Sequence, residues 1–275
     1  MDNSIRLACD GDIPALCRIW KVCFSDNEDY VRFFYRENAG HVTTTVYTVD
    51  GNPVSMLHWF DAEFVNGDER RGAKYLYSGG SLPEYRRSGY YGALIRYVID
   101  YAKENDIVLF GIPANRKLIP YYATFGFIPD ACFRLVTVRA GEKIPLHASP
   151  LSPEEYNRMR NRAFAHHPHA EWPDRYVGYC VAENEFSGGK TLAVEADGSV
   201  HFLMGAPRGE ALFINETDLS YSQLTRLSGA LCGLFGVGVL RAYLPDYSSS
   251  EGEEIVSSVI NNGKLHNTYV NLLLT

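Results

Sequence analysis

The sequence lacks several features that would place the protein in a membrane or outside the cell. It contains no run of about 18 consecutive apolar residues, the length that a membrane-spanning helix needs. Charges at Asp2, Arg6 and Asp10 occupy the place where a secretory signal would be apolar. The six cysteines form no CxxC pair and show no metal-ligand spacing, which favours small apolar fillers in a reducing compartment. We therefore predict a cytoplasmic protein with no metal and no membrane partner.

Basic residues are also in short supply. The chain has 26 Lys and Arg residues against 33 Asp and Glu residues, a formal net charge of -7. Binding to nucleic acid requires a basic surface that neutralises phosphates, so we expect no nucleic-acid partner. The negative charge is compatible with a cationic amine substrate. With 275 residues, 46% of them hydrophobic, the chain can build one large core or two smaller ones, and we favour two.

One stretch, Tyr75 to Gly92, predicts a strand, a tight basic turn and the start of a helix. Arg86, Gly89 and Gly92 lie where the helix begins, so backbone N–H groups without intrahelical partners point out of the turn. Two cationic side chains and the positive end of the helix dipole lie beside them. Such a turn is a cradle for an anion, and we expect a pyrophosphate there. Gly89 keeps the donors accessible and accepts a positive φ.

The periodicity of the first half predicts an α/β unit with a mixed sheet and helices on both faces. The predicted elements are, in chain order, a helix at 13–24, strands at 42–49, 53–65 and 73–78, a helix at 93–105, a strand at 107–112, a helix at 116–124 and a closing strand at 127–138.

The second half roughly repeats this order after a proline-containing linker. Its predicted elements are strands at 191–195, 200–204 and 211–215, a helix opened by a capping box of Ser220 and Gln223, a strand at 237–244, a helix at 253–260 and a strand at 269–274. Where the cradle should recur, residues 215–220 are acidic and contain no glycine, so a pyrophosphate would be repelled. We predict a catalytic domain at 1–140, a linker at 141–150 and a degenerate second domain at 151–275.

The motifs of the first half closely resemble those of the GNAT superfamily of N-acetyltransferases. The resemblance covers about residues 4 to 138 and consists of Arg86-x-x-Gly89 on a strand-to-helix turn, Asn115, and Tyr122-x-x-x-Gly126-Phe127. In place of the family's Gly or Ala two residues after Gly89, this chain has Tyr91, followed by Gly92. That bulky variant resembles the enhanced-intracellular-survival type of acetyltransferase, which also carries a degenerate GNAT-like second domain. Those relatives have a further C-terminal domain that this chain is expected to lack.

The resemblance implies acetyl-CoA as co-substrate and gives roles to individual residues. Backbone groups of Gly79, Gly80 and Ser81 would pair with the pantetheine arm as an added strand would. The pyrophosphate would be held by Arg86, Arg87, Ser88, Gly89, Tyr90, Tyr91 and Gly92. Asn115 would hydrogen-bond the cofactor arm, and Tyr122 would protonate the coenzyme A thiolate.

We therefore expect an acetyl-CoA-dependent N-acetyltransferase with a GNAT-like acyl-CoA N-acyltransferase fold, which transfers acetyl to a primary amine in a ternary complex. The acceptor stays open between a small molecule and a protein amine, and the general base is not readable. Asp26, Asp61 and Glu63 are candidates for the amine pocket by their place in the sequence. The alternatives are a non-catalytic acyl-CoA-binding sensor and a transferase with another acyl donor. The second domain is expected to close one side of the substrate cleft or to form a homo-oligomer contact.

Overall fold

The structure, a computed structural model, describes residues 3–24, 26–261 and 268–270. The contacts divide these residues into two units. The first contains the chain up to Glu63, Arg71–Pro129 and a short stretch that begins at Val259. The second contains Phe64–Arg70, Asp130–Ser258 and residues 268–270.

The elements of the first unit are β1 (Asn3–Leu7), α1 (Ile13–Phe24), α2 (Glu28–Glu37), β2 (Thr43–Val49), β3 (Asn52–Asn66), β4 (Glu69–Ser81), α3 (Tyr90–Glu104), β5 (Val108–Gly111) and α4 (Ile119–Ala123). The unit contains the predicted helices and strands in the predicted order, together with β1 and α2, which were not predicted. The strands lie in the order β1-β2-β3-β4-β5. β4 and β5 run parallel, while β1 and β2 pair antiparallel, so the sheet is mixed.

Helix α3 is the element that fixes the turn before it. Its apolar side chains recur at helical spacing, and Leu94, Ile95 and Val98 are fully buried against the sheet. Leu57 and Leu109 from β3 and β5 join the same core. Because this face of the helix is buried along its length, the position of its first turn above the end of β4 is well determined.

The remaining elements are β6 (Ile128–Arg139), β7 (Ala148–Pro150), α5 (Pro153–Phe164), β8 (His169–Glu171), α6 (Asp174–Phe186), β9 (Lys190–Ala196), β10 (Ser199–Arg208), β11 (Ala211–Thr217), α7 (Tyr221–Gly233), β12 (Val239–Pro245) and β13 (Glu253–Asn261). They belong to the second unit, except that the first two residues of β6 and the last three of β13 belong to the first. Six strands lie in the order β6-β12-β11-β10-β9-β7. β11, α7 and the parallel strand β12 repeat the arrangement of β4, α3 and β5.

Three sequence predictions need correction. The helix predicted at 253–260 is a strand, because the β-branched residues Val259 and Ile260 are buried in pairing with β5. The strand predicted at 127–138 forms as β6, but it pairs with β12, and β5 instead has Val259–Asn261 as its antiparallel neighbour. Of the strand predicted at 269–274, Tyr269 forms a single bridge with His169, and residues 271–274 lie outside the described residues. The helices α2, α5 and α6 were not predicted.

Candidate active site

The end of β4 leaves regular extended backbone at Ser78, whose φ is +42°. Its carbonyl oxygen lies 3.1 Å from Nδ1 of His58, which is fully buried on β3. Burial lowers the pKa of His58 to about 4, so the imidazole is neutral at pH 7. Since a carbonyl can only accept, Nδ1 carries the proton, and Nε2 accepts from the Tyr35 hydroxyl at 3.1 Å. His58 therefore holds the irregular end of β4 by a hydrogen bond from the neighbouring strand β3.

The three residues predicted to meet the pantetheine arm follow directly. The Gly80 carbonyl accepts from the Ser55 hydroxyl at 2.9 Å, and the Ser81 hydroxyl donates to Ser55 Oγ at 2.9 Å. Neither glycine could carry a side chain without a shift: a Cβ on Gly80 would lie 2.7 Å from the Cys23 sulfur, and one on Gly79 would lie 2.4 Å from the Tyr91 ring. The strand end is thus closely approached on both sides by the chain's own side chains.

The basic turn after β4 has the geometry of an anion cradle. Arg87 and Gly89 both have positive φ values, +63° and +82°. Gly89 is the N-cap of α3 and supplies no capping side chain, and a Cβ built on it would meet nothing within 4 Å. The first N–H groups of α3 therefore face open space beside the exposed residues Arg87 and Ser88.

The other residues of the turn have additional contacts. Arg86 donates from Nε to the Ser81 carbonyl at 3.2 Å, so part of its guanidinium ties the turn to β4. Tyr90 stacks on Tyr47 with ring centroids 4.3 Å apart. Gly92 is buried, and a Cβ there would lie 3.1 Å from Phe125. The glycine at 92 thus also serves the packing of α3 against the segment that follows α4.

Tyr122 projects from α4 towards the same strand end. Its hydroxyl lies 3.1 Å from the hydroxyl of Tyr91. Burial raises the pKa of Tyr122, and the hydrogen bond between Tyr122 and Tyr91 partly offsets this rise. The phenol is therefore protonated at neutral pH, the state that a proton donor requires.

Asn115 comes just before α4 and caps a short 3-10 turn, where its side-chain oxygen accepts from the Lys117 N–H at 3.1 Å. The amide nitrogen and the second lone pair of the oxygen are the groups of Asn115 that the predicted contact with the cofactor arm would use.

The three acidic candidates are not brought together. Asp26 accepts from Trp20 Nε1 at 2.8 Å, and the Trp20 ring contacts His58 with centroids 5.4 Å apart. Asp61 is ion-paired with Lys74. At about 3.3 Å per residue, Asp61 and Glu63 lie roughly 10 Å and 16 Å along β3 from His58, away from the end of β4. Of the three, Asp26 is the one that bonds Trp20, whose ring contacts His58 behind the end of β4.

A scan against protein-family models matches residues 4–129 to the acetyltransferase (GNAT) domain. This segment is a GNAT acetyltransferase domain. It contains the Ser78 irregularity, the Gly89 turn and Tyr122, and it covers a little less than half of the chain. No curated protein matches the chain.

Solved structures extend the likeness over both units. A conserved protein from Enterococcus faecalis V583, a candidate N-acyltransferase, superposes with a TM-score of 0.73 at 12% identity, over 97% of this chain and 74% of that one. A GCN5-related N-acetyltransferase from Anabaena variabilis gives a TM-score of 0.70 at 14% identity, over 94% and 72%. Eis1 from Mycobacterium abscessus gives 0.61 at 16% identity, over 94% and 73%. At these identities the likeness shows a shared fold, in which two GNAT-like units follow one another.

Within the described ranges, no helix has the length and apolar character that crossing a bilayer requires.

Proposed function

We propose that the first unit transfers the acetyl group of acetyl-CoA to a primary amine by direct attack in a ternary complex. The observation that carries this proposal is the N-terminus of α3, which has a glycine cap, no capping side chain and open space in front of it. Backbone donors of this kind, next to the positive end of a 15-residue helix, favour a pyrophosphate. Arg87 and Ser88 are exposed beside them and add a cation and a hydroxyl.

The chain's own residues fit the parts of the reaction. Acetyl-CoA supplies the acetyl thioester. The backbone of Gly79 to Ser81 would orient the pantetheine arm, and the N–H groups of this strand end would polarise the acetyl carbonyl as the amine nitrogen attacks it. As the carbon–sulfur bond breaks, Tyr122 donates its phenol proton to the sulfur. The acceptor attacks as a neutral amine, its nitrogen loses one proton as the amide forms, and a proton returns to the Tyr122 phenolate, so the net change leaves the acetyl group on nitrogen and one amine proton on coenzyme A.

Asp26 is our candidate for holding the acceptor amine. Its carboxylate accepts from Trp20, so its position is fixed, and it is partly exposed. Trp20 also contacts Tyr77, the residue before the irregular strand end, with centroids 5.9 Å apart. An ammonium group would therefore meet a carboxylate, which attracts cations, at the edge of an aromatic cluster.

The decisive experiment measures turnover and acetyl-CoA binding together, in the protein and in Tyr122→Phe. Acceptors are a polyamine, an aminoglycoside and a lysine peptide, and binding is measured by calorimetry. We expect one acetyl-CoA site per chain and a loss of turnover in Tyr122→Phe of roughly 10² to 10⁴ with binding retained. Binding without turnover of any acceptor would favour an acyl-CoA sensor, and absence of binding would reject the proposal.

A further inference from the structure

Tyr91 occupies an unusual place in the first turn of α3. Its hydroxyl lies 3.1 Å from the hydroxyl of Tyr122, and its ring lies parallel to that of Tyr121, with an angle of 14° and centroids 6.3 Å apart. One side chain of the pyrophosphate turn is therefore joined to the residue that we propose as the acid.

Gly79 makes this arrangement possible. A Cβ on Gly79 would lie 2.4 Å from both the hydroxyl oxygen and a ring carbon of Tyr91, distances that real side chains do not adopt. The φ of Gly79 is not among the positive values, so backbone conformation does not explain the glycine. The glycine on β4 instead leaves the space through which Tyr91 reaches Tyr122. The large side chain of Tyr91 thus requires the absence of a side chain at Gly79.

This contact has a consequence for proton donation. When Tyr122 gives its proton away, it becomes a phenolate in a half-buried site, and such a charge is costly unless a donor faces it. We propose that Tyr91 is a positioning residue that donates its O–H to the Tyr122 oxygen and stabilises this phenolate. The inference rests on the proposed function, because it requires Tyr122 to act as the acid.

The surroundings of the pair agree with this direction of donation. Burial raises the pKa of Tyr91 well above its ordinary value, and a Tyr122 phenolate would raise it further, so Tyr91 keeps its proton while Tyr122 loses one. The other titratable or charged groups near the pair are Tyr121 on α4 and Arg96 on α3. From β4 the facing group is the backbone of Gly79.

The test is a double-mutant cycle of Tyr91→Phe and Tyr122→Phe, with Tyr121→Phe as the matched control that removes a neighbouring phenol hydroxyl. A hydrogen bond to a charged group predicts that Tyr91→Phe lowers kcat roughly 10- to 100-fold while KM for acetyl-CoA stays within about twofold. In the Tyr122→Phe background the same substitution should change kcat less than about twofold, because its partner is gone. Equal losses in both backgrounds would overturn the inference.

A second readout needs no acceptor. In protein labelled with ¹³C at the tyrosine Cζ, the Tyr122 resonance is assigned by its loss in Tyr122→Phe and is titrated with base. Removing the donor should raise the pKa of Tyr122 in Tyr91→Phe and leave it unchanged in Tyr121→Phe. An unchanged pKa in Tyr91→Phe would reject the inference, even if Tyr122→Phe abolishes turnover. Full turnover in Tyr122→Phe would instead reject the proposed function.

Discussion

The two units each contain a strand that leads into a helix and then a parallel strand, and the two turns have opposite chemistry. In the first unit, Gly89 leaves the N-terminus of α3 uncapped and Arg87 is exposed beside it. In the second, Ser220 and Gln223 form a capping box, in which each side chain accepts from the backbone N–H of the other residue. The first turn of α3 thus has no side-chain cap, whereas that of α7 is capped by the chain itself.

The strand ends before the two turns differ in the same way. β4 is backed by the neutral His58, which bonds a carbonyl of the strand. Near the end of β11 lies Glu216, a fully buried side chain that accepts from Arg160 Nε at 3.1 Å and from the Tyr156 hydroxyl at 2.6 Å. A buried carboxylate and its counter-ion therefore occupy the end of this strand. A buried ion pair thus stabilises the second strand end, whereas we propose that the first receives a ligand.

The largest effect is expected from breaking the buried ion pair of the second unit. Arg160→Met leaves the Glu216 charge in the interior without its partner, which should cost about 3 to 5 kcal/mol of unfolding free energy. Denaturant unfolding measures it. The double variant Arg160→Met/Glu216→Gln is the control and should recover much of the loss. If the single variant is as stable as the parent, the pair does not hold this strand end.

A comparable effect is expected from acid at the first strand end. The folded pKa of His58, about 4, lies below its ordinary value of 6.5, so the unfolded chain takes up the proton first. Stability from this group is fully present above pH 6.5 and is lost as the pH falls towards 4, by up to about 3 kcal/mol. His58→Gln replaces the imidazole with an amide, which can still donate a hydrogen bond but does not titrate. Its unfolding free energy should fall less between pH 7 and pH 4.5 than that of the parent, and equal falls would contradict this.

A third effect concerns the ligand itself. Arg87→Asp gives the first turn the acidic character of the second, and aspartate tolerates the positive φ at this position. Acetyl-CoA affinity by calorimetry should fall roughly 10- to 100-fold, which corresponds to about 1.4 to 2.7 kcal/mol. Arg87→Asp is a cleaner test than Arg86→Ala, because Arg86 also supports the fold through Ser81. Arg208→Asp, an exposed change in the second unit, is the control and should bind as the parent does. If Arg87→Asp bound acetyl-CoA as tightly as the parent, the turn before α3 would not be the pyrophosphate site that we propose.

The contrast between the turns could be predicted from sequence because its signals are local. Gly89 and Arg87 on one side, and Ser220 with Gln223 on the other, lie within one turn of the helices they begin. The capping box of Ser152 and Glu155 is the same kind of local signal, and it marks the start of α5, a helix that we did not predict. His58 could not be found in this way, because its role depends on Ser78, 20 residues away on a neighbouring strand.

Long-range pairing explains the remaining differences. Residues 259–261 pair with β5, about 150 residues earlier in the chain, and no local pattern records such a partner. This pairing limits the experiments that can separate the two units. Deleting everything after residue 145 would remove a strand of the first unit, so a truncation cannot separate the contribution of the second unit from damage to the first. Point substitutions at the two turns are the better comparison.

The smallest effect is expected from removing the cap of α7. This change tests whether capping or negative charge is the reason why the second turn should not bind acetyl-CoA. Ser220→Ala removes the side chain that accepts from the Gln223 N–H, which should cost about 1 kcal/mol of unfolding free energy. Because Glu216 and Asp218 remain, we expect calorimetry to show one acetyl-CoA site per chain, as in the parent. The matched change Ser152→Ala opens the capping box of α5, a different helix of the same unit. If Ser220→Ala gained a second site and Ser152→Ala did not, the capping box alone would be what closes the second turn, and the acidic residues would be secondary.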